Sequence, residues 1–182
     1  MKQTDIAVQL VGVRPLMFDR YAGDFNTVLP TIERLYLDEQ QRLIIPAINI
    51  YSLLCAENTK SVCKMLMGKQ GRKIGLGIAS YTSIPSFEIA IMRNGVQLAV
   101  SDFGTHIHEH DAVARTKTGT PNNKKRPLVT LPWSLDFVIN YVENSHCTLH
   151  NLRQVIEFGG ILGLGTFRPF YGRYQLTRFE VV

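Results

Sequence analysis

Three histidines, His106, His108 and His110, recur at every second position in "GTHIHEHDAVARTKTGTPNNKKRP". On a strand that spacing puts all three imidazoles on one face, and a pair so placed can ligate zinc. The same stretch holds Arg115 and Lys117 and closes on Lys124, Lys125 and Arg126, with no acid between positions 115 and 126. Cations at that density suit phosphate, whose neutralisation gives sequence-independent affinity for nucleic acid. One segment therefore carries two chemistries, metal-assisted hydrolysis and polyanion binding.

The metal chemistry needs more than the spacing. "HIHEHD" comes near the HxHxDH run of metallo-β-lactamase-like hydrolases, but its final two residues are exchanged, which moves the carboxylate and the third imidazole to the wrong pleats. Further ligands would have to come from His146 and His150, four apart at a helix start. A hydrolase built on His106, His108 and His110 stays as the alternative, and the reading carries no metal and no cofactor. "GKQGRKIGLG" lacks the GxxxxGK[ST] pattern of a P-loop and follows no strand. No GxSxG elbow occurs, and nothing around Cys147 marks a nucleophile. Asp19 and Asp24 lie in the loop after the first strand, where carboxylates could assist phosphodiester chemistry or shape a turn.

The elements that must position these residues follow from periodicity. The chain has 182 residues, 45% of them hydrophobic and 19% charged, which fits one domain with one core. Its start has no signal-peptide pattern, and three cysteines (Cys55, Cys63, Cys147) without framework spacing read as reduced thiols in a cytoplasmic protein. No apolar run is long enough to span a bilayer. The net charge of +5 is unevenly spread, with a second acid-free basic run from Lys60 through Lys64, Lys69 and Arg72 to Lys73. Ile6, Val8 and Leu10 alternate as a strand, and "RLYLDEQQRLIIP" reads as a hairpin turning at 38–41. Pro46 opens a helix with Ile48, Tyr51, Leu54 and Cys55 at helical spacing. A second apolar series, Val62, Met65 and Leu66, stops at Gly68, with 58–59 as the break between the two. "SFEIAIMRNGVQLAV" is a hairpin around Asn94-Gly95. "TLHNLRQVIEFGG" is a helix capped by Thr148, striped by Leu149, Leu152 and Ile156 and ended by Gly159-Gly160. With core strands at about 5–18, 86–100, 131–142 and 171–181, the order is β-α-β-β-α-β. The expected class is α+β, a ferredoxin-like core of the RNA-recognition-motif kind, with a basic arm inserted at about 102–130.

Three basic features converge on that plan. They are the arm, "GKQGRK" after the first helix, and "GGILGLGTFRPFYGRY" before the last strand. Arginines fix phosphates, glycines let backbone approach a polymer, and Phe167, Phe170, Tyr171 and Tyr174 offer stacking faces, at least half of which packing should bury. The expected contacts are Arg14, Arg20, Lys69, Arg72, Lys73, Arg115, Lys117, Lys124, Lys125, Arg126, Arg168, Tyr171 and Arg173.

"LYLDEQQRLIIPAINIYSLLCAE" resembles RAMP-superfamily backbone subunits of CRISPR effector complexes, where a hairpin ending in "IP" leads into the first helix. "GGILGLGTFRPFYGR" resembles that superfamily's glycine-rich loop, and the insertion at 102–130 resembles its thumb hairpin. The segments "VGVRPLMF", "IPA" and "GTFRPFYGR" are also similar to small RAMP-like phage proteins. The resemblance implies a non-catalytic subunit that binds single-stranded guide RNA and assembles side by side along it as a homo-oligomer, with other effector subunits and without a membrane. Type III relatives place a cleaving aspartate after the first strand; Asp19, Asp24 and Glu33 stand nearby here without the matching motif. A phage single-stranded DNA binder or annealing protein, or a mimic of an effector subunit, is the alternative binding role.

Overall fold

The computed structural model describes residues 2–23, 27–56, 61–66, 68–115 and 121–182. The first strand, β1 (Gln3–Gly12), alternates as its sequence dictates, burying Ile6, Val8 and Leu10. It runs on to a short β2 (Leu16–Met17). The segment around Leu37–Leu43 makes an antiparallel bridge closed by Gln41 at φ 61°, and β3 (Ile44–Pro46) leads directly into α1 (Ala47–Cys55). Pro46 is extended at φ −62°, ψ 135°, so it precedes the helix and caps the strand instead of forming the first turn.

Two features of this region differ from the sequence expectation. The buried face of α1 is Ala47, Ile50, Leu53 and Leu54, and Ile48 points to solvent at 65% exposure. The expected stripe had its phase wrong because α1 is apolar nearly all round, so spacing alone could not choose the face. The basic stretch "GRKIGLG", given no element by its sequence, is helical. After the short α2 (Val62–Leu66), residues Gly71–Tyr81 form α3. Its glycines serve close packing: a Cβ on Gly77 would lie 2.7 Å from the Cys147 Cβ, and one on Gly71 would overlap the Cys63 carbonyl. Removing Cβ atoms lets α3 sit directly on its neighbours, which outweighs glycine's poor helix propensity. Met65 and Leu66 are half-exposed, so only Val62 and Cys63 of α2 enter the core.

A two-residue β4 (Thr82–Ser83) precedes β5 (Glu88–Arg93), which turns through Asn94 (φ 51°) and Gly95 (φ 83°) into β6 (Val96–Gln97). The tight hairpin is as its Asn-Gly pair requires. The stretch 86–100, counted as one core strand, folds as the hairpin expected around Asn94-Gly95, with β5 as the core strand. The inserted segment forms β7 (Ile107–Arg115) and β8 (Pro121–Val129), paired antiparallel from Ile107↔Val129 to Arg115↔Pro121. Then come β9 (Ser134–Val142), α4 (Leu149–Leu162) and β10 (Tyr174–Val181).

Thr148 caps α4 as expected, accepting from the Asn151 N–H while Asn151 returns a bond to the Thr148 N–H. Gly159 and Gly160 do not end the helix. Both are buried inside it, where any Cβ would overlap Tyr174, and the helix stops at Gly163 with φ 79°. The chain uses this glycine pair to bring α4 against β10, with the Tyr174 hydroxyl donating to the Ile156 carbonyl at 2.9 Å.

The main sheet runs β10-β1-β9-β5-β3, with β4 on β9 and β6 on β5. Every one of these pairings is antiparallel. A second sheet, β2-β8-β7, carries the arm. The fold is α+β. Ile6, Val8, Leu10, Leu135, Phe137 and Ile139 share one core with Leu53, Leu152, Val155 and Ile156 from the helices. The opposite sheet face is polar: Gln9 bonds to Asp136 at 2.9 Å and Asn140 to Asp5 at 2.7 Å. RNA-recognition motifs stack bases on sheet aromatics, and these residues offer none.

Candidate nucleic-acid interface

Two loops and the arm meet at one end of β1. The chain leaves β1 at Gly12, packed against the buried Trp133 ring, whose indole N–H donates to the Arg14 carbonyl at 2.8 Å. The Val13 and Arg14 N–H groups both donate to the Arg173 carbonyl, Gly172 N–H donates to Pro15, and Thr166 N–H donates to Met17. Phe18 N–H continues onto the arm at Pro127. The glycine-rich loop at 163–173 therefore lies along 13–18, and 16–18 lie along β8. Gly165 (φ 73°) and Gly172 (φ 72°) supply the left-handed backbone and the missing Cβ atoms that this close approach demands.

Asp19 sits where these segments join. Its carboxylate pairs with Arg34 at 2.7 Å, Lys124 at 2.8 Å and Arg126 at 3.0 Å. The Arg34 and Arg126 side chains are only 4% and 6% exposed. Partial burial works to raise the Asp19 carboxyl, but hydrogen bonds from Lys124 and Arg34 and the charge of Arg126 outweigh it and hold it below the usual carboxylate range. On the far side of the arm Lys125 pairs with Glu109 at 2.6 Å, and Glu109 accepts from Thr31. The "KKR" triplet is thus divided: Lys124 and Arg126 turn inward and Lys125 turns outward, as strand alternation requires.

The other expected contacts fall into distinct places. Arg14 is exposed between β1 and β2 and Arg20 after β2, and Arg173 is half-buried with its guanidinium bonded to the Pro169 carbonyl. The Arg14 N–H donates to the Arg173 carbonyl, and Arg168 lines a recess with Asp19. Lys69 in the turn before α3 and Arg72 and Lys73 in its first turn are exposed, and Arg72 lines a separate cavity of about 190 Å³ with Cys55, Ser61 and Cys63. The backbone of Arg115 ends β7, its side chain is outside the described residues, and Lys117 and Asp24 lie wholly outside them. Positions 58–59, expected as a helix break, lie outside them too. Of the four loop aromatics, Tyr174 is buried and Phe170 is 70% exposed. Phe167 and Tyr171 are half-buried, Phe167 beneath Arg126 and Tyr171 against Phe170.

The histidines fare differently from a ligand set. His110 bonds through Nε2 to the Tyr171 hydroxyl at 3.0 Å, and it stands opposite Arg126 in the strand register. His108 stands opposite Leu128. Among the described residues no three His, Cys, Asp or Glu side chains group as a metal site needs. Cys55, Cys63 and Cys147 are free thiols; burial pushes Cys55 up to about 11 and Cys63 and Cys147 up to about 12.

The fold has a solved counterpart. The chain is similar to one in the cryo-EM structure of the type III-B Cmr-beta bound to cognate target RNA, with a TM-score of 0.65 at 14% identity. The match covers 100% of this chain and 61% of that one, so this chain spans about three fifths of its counterpart. At that identity the likeness is one of fold. No family model and no curated protein matches the sequence. No helix among the described residues is long and apolar enough to cross a membrane.

Beside Asp19 lies a cavity of about 270 Å³ that sequence reasoning did not anticipate. Phe18 and Leu164 form its apolar wall; Tyr36, Asn49, Ser52, Thr166 and Arg168 add polar groups. Arg168 is half-buried without a carboxylate partner among the described residues, and burial draws its pKa down. The one legible signal was Asn49 and Ser52, two polar residues three apart in the otherwise apolar "AINIYSLLC", which share a helix face. Nothing marked Arg34 or Tyr36, whose roles depend on long-range packing.

Proposed function

We propose that this chain is a non-catalytic, RAMP-like subunit that binds single-stranded RNA and assembles side by side along it in a CRISPR-type ribonucleoprotein. The sheet order supports a ferredoxin-like core: taking β1, β5, β9 and β10 as the four core strands, they lie 4-1-3-2 and wholly antiparallel. The arm leaves between the second and third of them, where a thumb is placed in the superfamily that the sequence resembles. The structural counterpart belongs to an RNA-bound assembly.

The observation that carries the reading is the placement of Arg168. It lines a cavity together with Asp19, and that carboxylate is itself held by Arg34, Lys124 and Arg126, so cations outnumber acids around the recess. Such a recess attracts phosphate, and Arg14, Arg20 and Arg173 extend the field along the adjoining loops. Asp19 is read as an anchor rather than a cleaving group, because its two oxygens already receive three cationic side chains.

Binding of labelled single-stranded RNA across a salt series tests this. Arg168→Ala/Arg173→Ala should weaken binding and reduce the log–log salt slope by about 1.4, or roughly 0.7 per lost phosphate contact. An unchanged affinity and slope overturns the assignment. A preference for single-stranded DNA over RNA of the same sequence would favour the DNA-binding alternative, and sedimentation on RNAs of increasing length reads the side-by-side assembly.

A further inference from the structure

We infer that the cavity beside Asp19 is a pocket for a single nucleotide, holding the base against α1 and its phosphate on Arg168. The inference takes its ligand source from the RNA-binding reading above, but its geometry stands independently. Five polar side chains converge there from three separated segments: Tyr36 before β3, Asn49 and Ser52 on α1, and Thr166 and Arg168 on the glycine-rich loop. Among the described residues none of the five side chains has a hydrogen-bond partner in the protein. Their polar ends open into the recess beside the apolar wall of Phe18 and Leu164, and a few convergent polar groups against an apolar wall are what a small-ligand pocket presents.

Size and chemistry narrow the ligand. About 270 Å³ is just below the range of roughly 300–1,000 Å³ typical of small-molecule pockets, so the recess takes one nucleotide with part of it left in solvent and is too small for a run of them. The Tyr36 ring, edge-on to Phe18 with centroids 6.2 Å apart, offers an aromatic surface for a flat base. Asn49 presents a donor and an acceptor side by side, the pattern that matches an adenine edge. Ser52 and Thr166 add hydroxyls suited to a sugar, and Arg168 supplies a planar fork for phosphate. Asp19 does not repel that phosphate, because three cations already neutralise it. A simple anion would leave Asn49, Ser52 and Tyr36 unused, and a purely apolar ligand would leave every polar group unpaired.

Calorimetric titration with adenosine monophosphate and with ribose 5-phosphate decides the matter, run alongside a single-stranded oligoribonucleotide. Adenosine monophosphate should bind at least about tenfold more tightly than ribose 5-phosphate, since only it places a base against α1. Asn49→Ala/Ser52→Ala, both at helix-compatible positions, should erase that difference without changing the melting temperature. Arg168→Ala should weaken both ligands. Equal binding of the two probes, or binding of neither, overturns the pocket. If the oligoribonucleotide binds while adenosine monophosphate does not, the pocket is wrong and the RNA-binding reading stands. If adenosine monophosphate binds and the oligoribonucleotide does not, the pocket stands and the RNA-binding reading falls.

Discussion

The guanidinium carbon of Arg126 lies 4.8 Å from the centroid of the Phe167 ring while its Nε donates to Asp19 at 3.0 Å. One cation of the arm is thereby fixed to the glycine-rich loop by its face and to the first loop by its edge. Arginine suits both contacts, because a flat delocalised cation can stack and hydrogen-bond together. Arg126→Lys keeps the charge and loses the stacked plane, so it should destabilise the fold by about 1–2 kcal/mol. Lys125→Glu, on the exposed side, should change stability by less than about 0.5 kcal/mol. Urea unfolding of the two variants in parallel measures the contrast.

Asp19→Asn should cost about 3 kcal/mol at neutral pH, because Arg34 and Arg126 stay buried without their counter-charge. The pH dependence has a definite sign. The folded-state pKa of Asp19 is depressed, so its contribution is fully present above the ordinary value of 3.8 and is lost as pH falls through the lower folded value. Native protein should therefore lose stability steeply below about pH 4. The gap to Asp19→Asn should narrow over the same interval in thermal melts.

Gly160→Ala should destabilise by about 2 kcal/mol, since the new methyl would overlap the Tyr174 backbone and force α4 away from β10. A surface glycine such as Gly95 in the Asn94-Gly95 turn fails by a different route, φ strain without overlap. Chemical denaturation separates them when each is paired with Tyr174→Phe. Only Gly160→Ala should depart from additivity, because it alone touches Tyr174.

Thiol alkylation at pH 8 should be slow in the folded protein. Burial keeps Cys63 and Cys147 protonated up to about 12 and Cys55 up to about 11, so little thiolate exists to react. Denaturation should raise the rate of all three by well over tenfold. Mass spectrometry of the labelled protein reports each cysteine separately, with Cys55, the half-buried one, expected first.

Local rules made much of the scaffold legible. Alternation in β1 and β9, the Asn94-Gly95 turn and the Thr148 cap are decided within a few residues, and each formed as its chemistry requires. The failures share a cause. The glycine pair of "EFGG" reads as a helix stop and the glycines of "GRKIGLG" give no helix signal because their isolated propensity is poor, yet both sets lie within helices that press against Cys147 or Tyr174. The basic arm was visible as charge, but Asp19, 105 residues from Lys124, had no local mark as its partner. Arg168 was visible from its setting among glycines and aromatics, whereas Tyr36, Asn49 and Ser52 became neighbours only through packing.

The inward–outward order of Lys124, Lys125 and Arg126 also guards the threading of the arm. A slip of one position would turn Lys125 alone toward Asp19, expel Arg126 from Phe167 and leave Arg34 with a single poorly placed companion around one acid. Glu109 would meanwhile face two cations on the wrong side. The hairpin thus carries a charge-coded checksum, by which only one alignment of its two strands leaves every buried ion matched.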